Sequence, residues 1–166
     1  MPDIMDSRSD APPQRAVPPP PPREGAWRFT VAPAEASVPQ IRRAVRELLR
    51  RQQVPVSDDL LQGLLLILTE LVTNGIRHAA LLTPRIGVEV AVDDRWVRVA
   101  VEDGHPYRPK ALEQAPALEN TSGRGLLLVK VITAEAGGRC GVEPTAVGGK
   151  TVWAALPLDR IPRMFL

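Results

Sequence analysis

Glu70, Asn74 and His78 are the residues whose types and spacing could do chemistry together. Each step of four advances only about 40° around a helix, so the three stack along one face. The stretch Glu70-Leu71-Val72-Thr73-Asn74-Gly75-Ile76-Arg77-His78 sits late in an apolar run that begins near Ser57. Leu61, Leu65, Leu68, Val72 and Ala79 are expected on the opposite side, forming a buried back. An acid, an amide and an imidazole on so apolar a helix point to a ligand. A phosphate-bound Mg²⁺ prefers oxygen ligands and often takes only one or two from the protein, and the Asn74 carbonyl oxygen can be one. Glu70, one turn earlier, is placed to accept a proton from a nucleophile attacking a terminal phosphate. His78, one turn later, would lie further along the phosphate chain or at the ribose. The bland reading of His78 is a surface or internally bonded histidine. It makes no metal site with the only other histidine, His105, which falls in a loop.

Two further segments carry related chemistry. Asp103-Gly104 ends an alternating apolar run. A buried carboxylate there can accept a hydrogen bond from an exocyclic amine, which selects adenine over guanine, and Gly104 lets the backbone approach a ring. Gly123-Arg124-Gly125-Leu126 opens an apolar helical segment. Its glycines permit a tight turn, the helix N-terminus offers free N–H groups to phosphate, and Arg124 can add a charged contact. Read singly, Asp103 is more readily a strand-ending turn residue, and Gly123 and Gly125 are more readily ordinary loop glycines. The order of all three, with a long loop between the second and third, is much harder to dismiss.

The elements that position these residues follow from local patterns. Residues 1–24 form the first segment: 8 of the 18 prolines lie in residues 1–23, including Pro18 to Pro22. That composition cannot pack a core, and a solvated, partly polyproline II tail is expected, with a proline-rich docking site as the sharper alternative. A single domain is expected over residues 25–166. Trp27 to Val31 alternates as a first strand. Ser37-Val38-Pro39-Gln40 reads as a capping box, with Ser37 at the cap and Pro39 in the first turn. Ile41, Ala44, Val45, Leu48 and Leu49 follow at helical spacing. Arg42, Arg43, Arg46, Arg50 and Arg51 form the other face, which is either solvated or a receiver for an acidic partner. Ser57 caps a second helix, with Asp58 and Asp59 in its favourable first turn, and this helix runs to about Ala80. Ile86–Val92 and Arg95–Val101 alternate around Asp93-Asp94 as a β-hairpin. Residues 104–122 hold three prolines and no periodicity, the profile of a functional or disordered loop. Leu126 to Ile132 reads as a buried helix, stopped by Gly137-Gly138. Arg139 to Glu143 and Lys150 to Leu158 make a last hairpin.

Composition bounds the function. The chain has 166 residues, 44% of them hydrophobic, which is one ordinary domain with a real core. Its 21 basic and 19 acidic residues leave a net charge of +2, so it lacks the basic footprint of direct nucleic-acid binding. The lone Cys140 excludes an internal disulfide and a cysteine-based zinc site. No apolar run is expected to span a membrane, and residues 1–23 lack the apolar core of a signal peptide. A cytoplasmic protein is the expectation.

Together these segments resemble a known superfamily. Glu70 to His78 resembles the N box of the GHKL ATPases (gyrase, Hsp90, histidine kinase and MutL type). Asp103-Gly104 resembles the G1 box, Gly123-Arg124-Gly125-Leu126 the G2 box, and Gly149-Lys150-Thr151-Val152-Trp153 the strand whose threonine approaches the adenine. The resemblance spans roughly residues 25–158. The compact length is most similar to the anti-sigma factor serine kinases of the RsbW type. The resemblance implies an α+β class, two-layer Bergerat fold with helices on one face of a mixed, mostly antiparallel sheet. It implies ATP and Mg²⁺ as cofactors, a sequestered sigma factor, and an anti-anti-sigma (STAS-type) protein phosphorylated on serine. Dimerisation through the sheet is common in that family. It further implies Glu70 as general base, Asn74 as Mg²⁺ ligand and Asp103 as adenine reader. His78, Gly104, Arg124 and Leu126 would line the nucleotide site, Gly123 and Gly125 would shape a phosphate-covering lid, and Thr151 would support the base. The family's G1 pattern carries a second glycine after Asp-x-Gly, whereas His105, Pro106 and Tyr107 follow Gly104 here. An alternative therefore stands beside the kinase: a module that binds ATP and its partner without transferring phosphate.

Overall fold

The structure is a computed structural model and describes residues 25–79, 85–104 and 124–158. The expected tail (1–24), the loop after Gly104, Gly123 and the end of the domain past Leu158 lie outside the described residues. His78 and Arg124 are described by backbone alone.

The elements run β1 (Gly25–Val31), α1 (Ser37–Arg51), α2 (Asp58–Ala79), β2 (Ile86–Val92), β3 (Trp96–Asp103), α3 (Arg124–Glu135), β4 (Arg139–Pro144) and β5 (Lys150–Pro157). The five strands form one sheet in the order β1-β2-β3-β5-β4. Every pairing is antiparallel among the described residues, in keeping with the mostly antiparallel sheet expected. The helices cover one face, giving the expected two-layer α+β sandwich.

Period-two alternation decides what each strand buries. Ile86, Val88, Val90 and Val92 of β2 face the helices, as do Val97, Val99 and Val101 of β3 and Val152, Ala154 and Leu156 of β5. Helix α1 adds Ile41, Val45 and Leu49 at spacings of four. Helix α2 is the centre of the layer and is buried on more than one side. Leu64, Ile67 and Leu71 are fully buried together with Leu65, Leu68 and Val72, so the apolar surface is wider than the single back stripe expected. By length and mean hydropathy, Asp58–Arg77 is long and apolar enough to span a bilayer, contrary to expectation, but half of it is buried inside this fold. Contact with the sheet on one side and α1 and α3 on the others accounts for that apolarity.

The two caps behave differently. The Ser57 hydroxyl accepts from the Leu60 N–H at 3.1 Å, as its sequence context predicts. Ser37 does not form a capping box. It is the first helical residue, buried, and its hydroxyl donates to the Ala32 carbonyl at 2.7 Å. Ser37 already lies inside the first turn, with Ala36 at the cap position, and the chain folding back over the helix start offers the Ala32 carbonyl as acceptor for its hydroxyl. The arginine face of α1 is also divided. Arg42 donates to the Leu65 carbonyl at 3.0 Å and to the Thr69 hydroxyl, tying α1 to α2. Arg50 and Arg51 instead share Glu47 within their own helix.

Candidate functional site

The site assembles where the last third of α2 crosses the end of β3 and the first turn of α3. Four polar side chains fall on α2 between Thr69 and Asn74. Thr69 is satisfied locally, donating to the Leu65 carbonyl at 2.9 Å while receiving Arg42. Asn74 differs: it is only 7% exposed, yet among the described residues nothing hydrogen-bonds its amide. A buried polar group without a partner costs about 1–3 kcal/mol, so such a group in a folded protein requires an explanation. Glu70, half-buried one turn earlier, likewise has no hydrogen bond or ion pair among the described residues.

Glycines bring the other segments close. At Gly125, in the first turn of α3, a Cβ would collide with the Glu70 carboxylate. Glu70 therefore occupies the space left by the missing side chain, with its carboxylate against a helix N-terminus, where anions are favoured. Gly75, directly after Asn74, points at β3: a Cβ there would lie 3.4 Å from Val101 Cγ1 and 3.8 Å from Asp103 Oδ2. Asp103 thus sits beneath the Asn74-Gly75 step. The structure brings Glu70, Asn74, Asp103 and Gly125 into one region, with Gly104 at the exposed end of β3.

Two expected contributors are placed elsewhere. Leu126 is buried in the hydrophobic core and anchors α3 by its side chain. Thr151 points to the opposite face of the sheet. Alternation forces this, because Val152, Ala154 and Leu156 face the helices. On the outer face Thr151 borders a recess of about 200 Å³ with Arg28, Glu89, Arg98, Glu102 and Glu143. The inward place at this end of β5 belongs to Lys150, which was not singled out in the sequence. Lys150 pairs directly across from Asp103 in the β3–β5 register. Its ammonium donates to both carboxylate oxygens, at 3.1 and 3.0 Å, and neither side chain is more than 1% exposed. The signal was strand parity: an even-numbered residue shares a face with Val152 and Ala154.

These residues fit a nucleotide with a bound divalent cation. Among the described residues Asn74 is an orphaned buried oxygen donor and Glu70 a carboxylate without a partner one turn away, and Gly125 is a position where a side chain would fill the space. Among the described residues no cluster of three His, Cys, Asp or Glu side chains could hold a metal, so a cation here needs non-protein oxygens as well. That matches Mg²⁺ carried on phosphate.

An α+β sandwich with such a site defines a nucleotide-binding domain, and comparison with known proteins gives its family. The family model described as "Histidine kinase-like ATPase domain" matches residues 31–154, and the chain belongs to that family. No curated protein sequence matches the chain. Among solved structures, it is similar to the mycobacterial sensor histidine kinase MprB, at 21% identity and a TM-score of 0.50, over 80% of this chain and 99% of that one. It is also similar to the RsbU and RsbW domains of Rv1364c from Mycobacterium tuberculosis, at 19% identity and a TM-score of 0.54, over 81% of this chain. A third likeness is full-length ShkA in complex with AMPPNP, at 23% identity and a TM-score of 0.50, over 61% of this chain. The chain spans 32% of the Rv1364c chain and 23% of the ShkA chain. At these identities the likenesses establish the fold.

Proposed function

We propose that the protein is an ATP- and Mg²⁺-dependent serine/threonine protein kinase of the partner-switching type. It phosphorylates an anti-anti-sigma protein of the STAS type on serine and sequesters a sigma factor, in the cytoplasm. The observation that carries the nucleotide reading is Asn74: a buried amide without a hydrogen-bond partner among the described residues, one turn from a carboxylate that also has none among them, and next to Gly75, which faces the buried Asp103. Its place in a histidine kinase-like ATPase domain, and the likeness to a structure containing an RsbW domain, support the regulatory reading.

The roles are those the resemblance implies, and the proximity of Glu70, Asn74, Asp103 and Gly125 supports them. Asn74 offers its carbonyl oxygen to Mg²⁺. Glu70 takes the proton from the attacking serine hydroxyl, held in place by the first turn of α3. Asp103 accepts from the exocyclic amine of adenine. Gly125 contributes its backbone N–H on the phosphate side and Gly104 gives room for the ring; the roles of Gly123, Arg124 and His78 on the phosphate and ribose rest on the resemblance alone. Bound ATP would supply the phosphoryl group, with Mg²⁺ neutralising its charge. Thr151, on the outer face of the sheet, takes no part in this reading.

The test is transfer of labelled phosphate from ATP to single-domain anti-anti-sigma proteins encoded in the same genome. The parent should label one of them on serine, and Glu70→Ala should keep ATP affinity while losing transfer. Unchanged labelling by Glu70→Ala would remove Glu70 from its role, and absence of ATP binding would remove the whole reading. A second reading, a module that binds ATP and its partner without transfer, draws on His105, Pro106 and Tyr107 following Gly104. It predicts ATP-dependent capture of the partner with no label.

A further inference from the structure

Lys150 is a buried charge for which the reaction just proposed has no use. The equivalent inward positions along β5 carry Val152, Ala154 and Leu156, all apolar. Well-packed apolar residues in place of a buried ion pair are often neutral or stabilising, so stability alone does not explain a lysine here. What Lys150 does is hold one specific group. It donates to both Asp103 oxygens. An ammonium has donors only, while a carboxylate offers about four acceptor positions, so this pairing orients Asp103 without exhausting it. The lysine is itself held. A Cβ on the preceding Gly149 would collide with the Asp103 carbonyl oxygen and lie 2.8 Å from Gly104 Cα, so the start of β5 is pressed onto the end of β3. Gly75 faces the carboxylate from α2, where a Cβ would come within 3.8 Å of Asp103 Oδ2.

Resting on the nucleotide reading above, we propose that Lys150 is the positioning residue of the base-reading carboxylate. It clamps Asp103 in one rotamer, so that base selection by the exocyclic amine depends on a side chain that never touches the base. Lys150 acts through Asp103 and is not catalytic.

The probes are ATP and purine riboside triphosphate, which lacks only the exocyclic amino group, titrated by calorimetry into the full chain. The parent should prefer ATP by about tenfold or more, as expected for a hydrogen bond to a charged acceptor. In Lys150→Met that preference should collapse toward equality while the analogue binds as before. A purely structural Lys150 would lower the unfolding temperature and leave the preference intact in the folded fraction, which overturns the inference. The parent gives an independent reading if the variant does not fold. The ammonium nitrogen NMR resonance of Lys150 should shift on saturation with ATP and stay put with the analogue; equal shifts overturn the inference. Failure of the parent to bind either triphosphate overturns the nucleotide reading itself, whereas ATP binding with an unaltered preference in Lys150→Met overturns this inference alone.

Discussion

Gly125→Ala separates the chemistry of this site from its stability. The new Cβ would occupy the space held by the Glu70 carboxylate. Because that group is the end of a flexible side chain, the backbone need not move. Pushing Glu70 off its rotamer costs about 0.5–1.5 kcal/mol. Replacing glycine by alanine in a helix returns up to about 1 kcal/mol. These nearly cancel, so the unfolding free energy should stay within about 1 kcal/mol of the parent. Turnover should not, since displacing a catalytic group by about 1 Å can cost about a hundredfold in rate. The assay is urea unfolding beside transfer of labelled phosphate from ATP to the anti-anti-sigma partner, with ATP affinity by calorimetry as the control. The loss should also be non-additive: in a Glu70→Ala background, Gly125→Ala should cost almost nothing further. Parental turnover in Gly125→Ala, or full additivity with Glu70→Ala, would refute the assignment of Glu70 and the reason given for the glycine.

Four further outcomes are expected. Asn74→Leu should raise stability by about 1 kcal/mol, because it removes an unsatisfied buried amide, and should abolish the Mg²⁺ dependence of ATP binding; thermal melts and titrations with and without Mg²⁺ check both halves. Asp103→Asn should weaken ATP relative to GTP and cost about 3–5 kcal/mol of stability, because it strands the buried Lys150 ammonium; denaturant midpoints and competition binding decide. Gly149→Ala should destabilise by about 1–3 kcal/mol with no flexible group to yield, since the obstacle is the Asp103 backbone, and urea unfolding measures it. The acid side of stability contains a contribution from Glu47, whose hydrogen bond from Arg50, aided by Arg51, holds its pKa at about 2, against 4.5. Since the folded value is the lower one, this contribution is present above pH 4.5 and fades as pH falls toward 2. Glu47→Gln should flatten that part of the melting-temperature profile, and high salt should shrink the difference because the pair is exposed.

Much of this protein is written locally. The strands show in period-two alternation, α1 and α2 in helical spacing, and the start of α2 in Ser57, because each of these depends on residues a few positions apart. The Glu70–Asn74 face is legible for the same reason: helical geometry alone stacks them. Ser37 marks the boundary of such reasoning. It has the local form of a cap, but it lies inside the first turn and its hydroxyl donates to the Ala32 carbonyl of the folded-back chain. Arg42 reads as part of a solvated face until α2 presents the Leu65 carbonyl and Thr69 hydroxyl to it. Leu126 belongs to a glycine-rich motif, yet its side chain is core.

The amino-acid sequence by itself determined the elements, the sandwich class, and the acid–amide pair on α2. The tertiary structure alone decided that Asp103 lies under Gly75, that Gly125 makes room for Glu70, and that Lys150 rather than Thr151 turns inward to meet Asp103. The physical reason is separation along the chain. Asp103 and Lys150 meet only because β3 and β5 pair in one register across the intervening loop, helix and strand. A lysine read locally is a charge bound for water, and only its cross-strand partner turns it into part of the site.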